Sequence, residues 1–145
     1  MRIRNAKLNG VDHSLAVSSS IFFCIYIDEL LGSFRDGRIG CHIRGKFYGA
    51  FIFADDVILL SAIRNGLQAM VDKCSSFEKS RNLTFGTDND PKKSKTKSII
   101  FSKKPPKNPI AIVLDGNDLP WVASLVHLGC TLQSENNRFF LVEKA

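Results

Sequence analysis

Two adjacent acids, Asp55 and Asp56, stand between two apolar runs, Phe51-Ile52-Phe53-Ala54 before them and Val57-Ile58-Leu59-Leu60 after them. Aromatic and β-branched residues on both sides favour strands, and an Asp pair between strands favours a tight turn. The local expectation is therefore a β-hairpin with both carboxylates near its tip. Carboxylate oxygens at such a tip suit a hard divalent cation, Mg²⁺ or Mn²⁺. A pair of such ions can clamp the attacking and leaving oxygens of a phosphoryl transfer. The competing reading is a solvated turn, since Asp is a common turn residue. The flanks weigh against it. A hairpin with one face in water alternates apolar and polar residues, whereas these runs are apolar at nearly every position, which predicts cover on both faces.

The elements that must position the acids follow from periodicity. Residues 15–27 are largely apolar. Ser18, Ser19 and Ser20 offer a cap for a helix reaching about Leu31, with Gly32 as its stop. That helix has little polar face and calls for burial nearly all round. Residues 39–44 alternate as a strand, Gly45-Lys46 is a turn, and residues 47–54 lead into the acidic tip. Residues 65–81 read as a second helix. Leu67, Met70, Val71, Cys74 and Phe77 form one apolar stripe whose ordinary meaning is core packing. Gln68, Asp72, Lys73 and Lys79 face away from it.

Downstream, residues 85–91 satisfy every turn rule. Lys92, Lys93, Lys95 and Lys97 lead into Ser98-Ile99-Ile100-Phe101, and Lys103, Lys104 and Lys107 follow among three prolines. Two readings stand side by side: a solvated loop and edge strand protected by lysines, or a cluster facing phosphates. In the last third, residues 110–114 form a strand, 115–118 a turn and 119–122 the returning strand. Residues 124–132 follow, with Gly129 free to adopt an unusual backbone. His127 is a lone histidine and reads as structural, since no zinc partners lie near it. Residues 136–145 carry no fold signal.

Composition bounds the class. The chain has 145 residues, 44% of them apolar, which suits one globular domain with a real core. Its net charge of +6 and pI near 9.3 fit an anionic partner, nucleic acid first, and fit as well many proteins with no such partner, so charge alone decides little. Cys24, Cys41, Cys74 and Cys130 are widely spaced, so they read as free thiols in a reducing compartment rather than as a zinc site. Arg2 and Arg4 precede the apolar run, but that run ends in Asp28-Glu29 with no small-residue cleavage site. It also falls short of the about 20 residues that span a bilayer. The expectation is an intracellular protein of the nucleus or cytoplasm, neither secreted nor inserted in a membrane.

Phe53-Ala54-Asp55-Asp56 followed by Val57-Ile58-Leu59-Leu60 resembles the Tyr-Ala-Asp-Asp signature of reverse transcriptases, particularly those of non-LTR (LINE-type) retrotransposons. Phe53 stands for the usual Tyr. Residues Ile25-Tyr26-Ile27-Asp28-Glu29-Leu30-Leu31 resemble the helix before that hairpin. Pro91-Lys92-Lys93-Ser94-Lys95-Thr96 with Ile99-Ile100-Phe101 resembles the lysine-bearing segment after it. Leu125-Val126-His127-Leu128-Gly129 resembles the later primer-grip hairpin. The likeness runs in order from about Gly10 to Leu132.

The resemblance implies an α+β fold: a partial polymerase palm whose antiparallel sheet carries the Asp-Asp hairpin on two helices, with C-terminal β-hairpins beyond. It divides the chain into a degenerate segment 1–14, a partial palm 15–132 and a tail 133–145. It implies an RNA-directed DNA polymerase, a nucleotidyltransferase working on an RNA template and a DNA primer. Asp55 and Asp56 would be its catalytic metal ligands, for Mg²⁺ or Mn²⁺. Lys93 or Lys95 would stand near the pyrophosphate leaving group. Lys92, Lys93, Lys95, Lys97, Lys103 and Lys104, with His127, Leu128 and Gly129, would lie against nucleic acid.

The pattern also departs from the family. Gly10-Val11 match the expected Gly-Val-Arg-Gln-Gly motif, but Asp12-His13-Ser14 follow, and the later Pro is absent. An acid at Asp12 would repel phosphates. Two-metal transfer also needs a carboxylate from an earlier strand, which these residues do not supply beyond Asp12. The expectation is a truncated copy that holds metal weakly and is inactive as an isolated chain. A missing strand or fingers region would come from another chain. The alternative is a non-catalytic basic remnant that binds nucleic acid, or a product without function. An open sheet edge beside residues 47–53 predicts aggregation.

Overall fold

The structure, a computed structural model, describes residues 3–5, 16–53, 56–81, 83–85, 93–102 and 104–134. The chain separates into two compact units, Met1–Gly86 and Thr87–Ala145, where length alone suggests one domain. The boundary falls inside the stretch read as a loop. Of that stretch Phe85 belongs to a strand, and residues 86–91 lie outside the described residues.

The first unit runs β1 (Ile3–Asn5), α1 (Ala16–Asp36), β2 (His42–Ile43), β3 (Lys46–Phe47), β4 (Ala50–Phe53), β5 (Asp56–Leu59), α2 (Arg64–Arg81) and β6 (Leu83–Phe85). Strand β1 was not legible in the polar N-terminal stretch. It pairs antiparallel with β6, Ile3 opposite Phe85 and Asn5 opposite Leu83. Asn9-Gly10, a turn signal in the sequence, lies outside the described residues.

Helix α1 corrects the sequence reading at both ends. It is already helical at Ala16, so Ser18, Ser19 and Ser20 lie within it rather than capping it; a serine inside a helix costs only a few tenths of a kcal/mol. It also runs through Gly32 to Asp36. Glycine costs about 1 kcal/mol there, whereas the extra turn buries Phe34 completely, a gain of about 1.5–3 kcal/mol. The helix ends in a Schellman arrangement: Ile39 N–H donates to Phe34 C=O and Arg38 N–H to Arg35 C=O, with Arg38 at φ 48. Nor is α1 buried all round. Ile27, Leu30 and Phe34 are in the core, while Ile25 is 58% exposed and Asp28 and Glu29 face solvent.

The β2–β3 turn falls on Arg44-Gly45 rather than Gly45-Lys46, with Ile43 paired to Lys46. Both turn residues have positive φ, 50 and 78, the signature of a two-residue type I′ turn whose twist suits a hairpin. Backbone bonds tie this hairpin to the base of the next: Cys41 N–H donates to Leu60 C=O, and Leu60 N–H donates to Gly49 C=O. The close approach needs glycine at 40. A Cβ there would stand 2.9 Å from Met70 Sδ and 3.2 Å from Gly49 Cα, and its φ of +90 suits no other residue.

The stripe on α2 is core as expected. Met70, Val71, Cys74 and Phe77 are buried and Leu67 is half-buried, while Asp72 and Lys79 are exposed. Burial pushes the Cys74 thiol up from 9.0 to about 12, with neighbouring Glu78 adding to the effect. The folded state therefore holds the thiol proton more tightly than the unfolded chain. That contribution is complete below pH 9 and is lost as pH rises from 9 towards 12. A thiol reagent at pH 8 is expected to leave Cys74 unmodified in folded protein and to label it after denaturation, since only a thiolate attacks. Rapid labelling of Cys74 in the folded chain, read by mass spectrometry, would contradict this burial.

The second unit carries β7 (Ile112–Leu114), β8 (Asn117–Leu119), β9 (Ser124–His127) and β10 (Cys130–Gln133). The β7–β8 turn is only Asp115-Gly116, with φ 50 and 79; Asn117 and Asp118 belong to the returning strand, against the expected four-residue turn. Asp-Gly satisfies a type I′ turn in two residues, so none is left over. That strand ends at Leu119, and Trp121 pairs in parallel with Ser98 instead of continuing the hairpin. Leu128-Gly129, φ 50 and 78, closes β9–β10 in the same way. Ile112, Leu114 and Leu119 form the buried centre.

The result is a mixture of helix and antiparallel strand, α+β in general. Among the described residues the strands form five two-stranded pairs rather than the single palm sheet expected. No helix there is long and apolar enough to cross a membrane.

Candidate functional site

Strands β4 and β5 form the hairpin the acids required, in the register Ala50 to Leu59, Phe51 to Ile58, Ile52 to Val57 and Phe53 to Asp56. Residues 54 and 55, which come between the paired Phe53 and Asp56 in the chain, lie outside the described residues, and with them the expected place of Asp55. Asp56 opens β5 directly beyond the tip and is half-buried.

Cross-strand pairs share a face of a hairpin. One face carries Ala50, Ile52, Val57 and Leu59, and Val57 is 1% exposed. The other carries Phe51, Phe53, Asp56 and Ile58, with Phe51 51% and Phe53 63% exposed. The expectation of cover on both faces is thus corrected. Alternation sends every second apolar side chain outward, and the residues of this unit cover only one side. Asp56 stands on the open side beside two exposed aromatic rings. Tyr48, 40% exposed, precedes them in the chain, its N–H donating to Cys41 C=O.

The described residues contain no group of three or more His, Cys, Asp or Glu placed to hold a metal. Two adjacent carboxylates suit one loosely held divalent ion, and they fall short of the cage that a two-metal centre needs.

The lysine segment belongs to the second unit. Lys92 and Lys103 lie outside the described residues. Lys93, Lys95 and Lys97 are exposed, while Ser94, Thr96 and Ser98 between them are 2, 4 and 6% exposed. The stretch is a two-residue alternation with charge outward and hydroxyls inward. Ser94 Oγ donates to Thr96 C=O over 2.7 Å. Ser98 N–H donates to Pro120 C=O, and Val122 N–H donates to Ser98 C=O. The alternation is visible in the sequence as Lys-Ser-Lys-Thr-Lys-Ser, yet the segment is no strand: Lys93 lies in a turn, Lys95 in a bend, and only Ser98 makes a bridge. Its partner was not visible, because the bond to Pro120 spans more than twenty residues of chain. Lys104 is exposed, and its N–H donates to Ser102 Oγ over 3.2 Å.

His127, Leu128 and Gly129 meet at the β9–β10 turn, where His127 pairs with Cys130 and is half-buried. Leu128 is 55% exposed at positive φ. Nothing about His127 sets it apart from a structural residue at a strand end. Comparisons with protein-family models, with curated proteins and with solved structures give no match for this chain.

Proposed function

We propose that this chain is the C-terminal half of a reverse-transcriptase-type palm of the non-LTR kind, carrying the Asp-Asp hairpin of a two-metal nucleotidyltransferase but inactive as an isolated chain. The observation that supports this reading is the β4–β5 hairpin, in which Asp56 pairs with Phe53 at the end of an otherwise apolar ribbon and follows Asp55 directly in the chain. Strand β5 fixes the backbone of Asp56, and the exposed side of the hairpin leaves room for a substrate. Asp55 and Asp56 would hold a divalent ion through carboxylate oxygens, and a bound ion supplies positive charge for phosphoryl transfer. A third carboxylate is needed for the two-ion arrangement, and the described residues hold no group of three or more His, Cys, Asp or Glu placed for a metal.

The test has two readouts. In a Mn²⁺ titration followed by NMR, the resonances of Phe53, Asp56 and Val57 are expected to broaden at millimolar metal and to stay sharp in Asp55→Asn/Asp56→Asn. Equal broadening in both proteins would remove the metal-holding tip and with it this reading. In primer extension on a homopolymer RNA template with Mg²⁺ or Mn²⁺, neither protein is expected to extend. Extension by the unmodified chain that is lost in the double variant would overturn the inactivity. It would place a completing carboxylate within these residues, Asp12 being the first to replace.

A further inference from the structure

We propose that the exposed face of the hairpins β2–β3 and β4–β5 is the contact between two copies of this chain, packed face to face about a twofold axis. In β2–β3, Phe47 turns inward, its ring 6.4 Å from that of fully buried Phe34. Cross-strand pairs share a face and successive pairs alternate, so Ile43 and its partner Lys46 turn outward. Phe51 has the parity of Phe47 and yet is exposed, so the strand changes face at Gly49, as it does at a bulge. The outward residues then run Lys46, Tyr48, Phe51 and Phe53, all exposed, while Phe47, Ala50 and Ile52 are half-buried. One face thus gathers Ile43, Tyr48, Phe51 and Phe53, each between 40 and 63% exposed. Scattered exposed apolar residues are ordinary, whereas a patch of them marks an interaction site.

The charges at the two ends of the face select its occupant. Arg44 and Lys46, both exposed, stand at the end made by the β2–β3 turn, and Asp56, paired with Phe53, stands at the other. A uniformly basic partner would meet Arg44 and Lys46, and a uniformly acidic one would meet Asp56. The same face turned end for end meets neither with like charge. Lys46 of each copy then comes over Phe53 and Asp56 of the other, and Tyr48 and Phe51 lie nearest the axis, where interfaces are rich in aromatic side chains. Stacked sheets stand about 10 Å apart, a gap that interleaved rings fill. A twofold contact uses one patch on both copies and closes at two, whereas strand addition at an open edge continues. This inference goes beyond the reading as a palm and needs no metal at Asp56.

Sedimentation equilibrium of the 145-residue chain in EDTA, across micromolar concentrations, is expected to fit one reversible monomer–dimer equilibrium of a 16.1 kDa protomer. Chelation keeps metal away from the acidic pair, so a failed metal titration leaves this result untouched. Lys46→Glu and Asp56→Lys are each expected to weaken the dimer at least about tenfold, because each variant sets two like-charged pairs across its own axis. An equimolar mixture of the two is expected to regain the affinity of the unmodified chain, because both contacts of the mixed dimer join opposite charges. Tyr48→Ala is expected to weaken the dimer at least about tenfold with no change of charge. Circular dichroism melts check the fold of each variant, and Lys46→Glu and Tyr48→Ala, both at exposed side chains, test the contact if Asp56→Lys does not fold. The proposal is overturned by a chain that stays monomeric, by growth beyond the dimer, by a mixture of folded variants as weak as either alone, or by an unaltered equilibrium in Lys46→Glu or Tyr48→Ala.

Discussion

Replacing Phe34 by alanine is expected to destabilise the first unit by about 3–5 kcal/mol, a large share of the about 5–15 kcal/mol that holds a typical domain. Phe34 is fully buried, and its ring lies 6.4 Å from that of Phe47 on β3. It is also the residue whose carbonyl accepts from Ile39 in the closing turn of α1. Alanine would leave a cavity at the point where the helix turns back towards the strands, and the last turn beyond Gly32 would lose the burial that sustains it. A denaturant midpoint followed by circular dichroism measures the loss. Phe51→Ala, at a half-exposed ring on the open side of the hairpin, is the comparison, with an expected change of no more than about 1 kcal/mol. Equal effects at the two positions would mean that Phe34 is not core.

The second large effect is expected at Ile112. The buried centre of the second unit is Ile112, Leu114 and Leu119, and Ile112 is fully buried. Ile112→Ala is expected to cost about 2–5 kcal/mol, which a centre of so few side chains is poorly placed to absorb. The consequence reaches the segment before β7. Ser98 is held by Pro120 and Val122, just beyond the end of β8, so loosening the β7–β8 hairpin loosens the anchor at Ser98. The denaturant midpoint of Ile112→Ala is expected to fall, while the exposed Val113→Ala on the same strand shifts it by no more than about 1 kcal/mol. A midpoint for Ile112→Ala no lower than that of Val113→Ala would place Ile112 outside the core.

Local chemistry made several elements legible. The stripe of Leu67, Met70, Val71, Cys74 and Phe77 predicts α2 within one residue of Arg64–Arg81, because a helix repeats every 3.6 residues and the apolar spacing declares it. The strand-turn-strand pattern around Asp55-Asp56 predicts the β4–β5 hairpin, because bulky and β-branched residues flank turn formers. Asp115-Gly116 and Gly129 mark turns because few other residues tolerate positive φ.

The type of each strongly patterned element, and the placing of acids in one segment and lysines in another, thus follow from local chemistry. The remainder hung on contacts between distant parts of the chain. Whether α1 stopped at Gly32 depended on what Phe34 would find to pack against. Whether Phe51 and Phe53 were covered depended on which neighbours the unit could supply. What holds Ser98 depended on Pro120 and Val122, more than twenty residues further along the chain. Periodicity reports which face of an element is apolar. Only the folded chain reports what lies against that face, because burial is a property of neighbours brought together across the sequence.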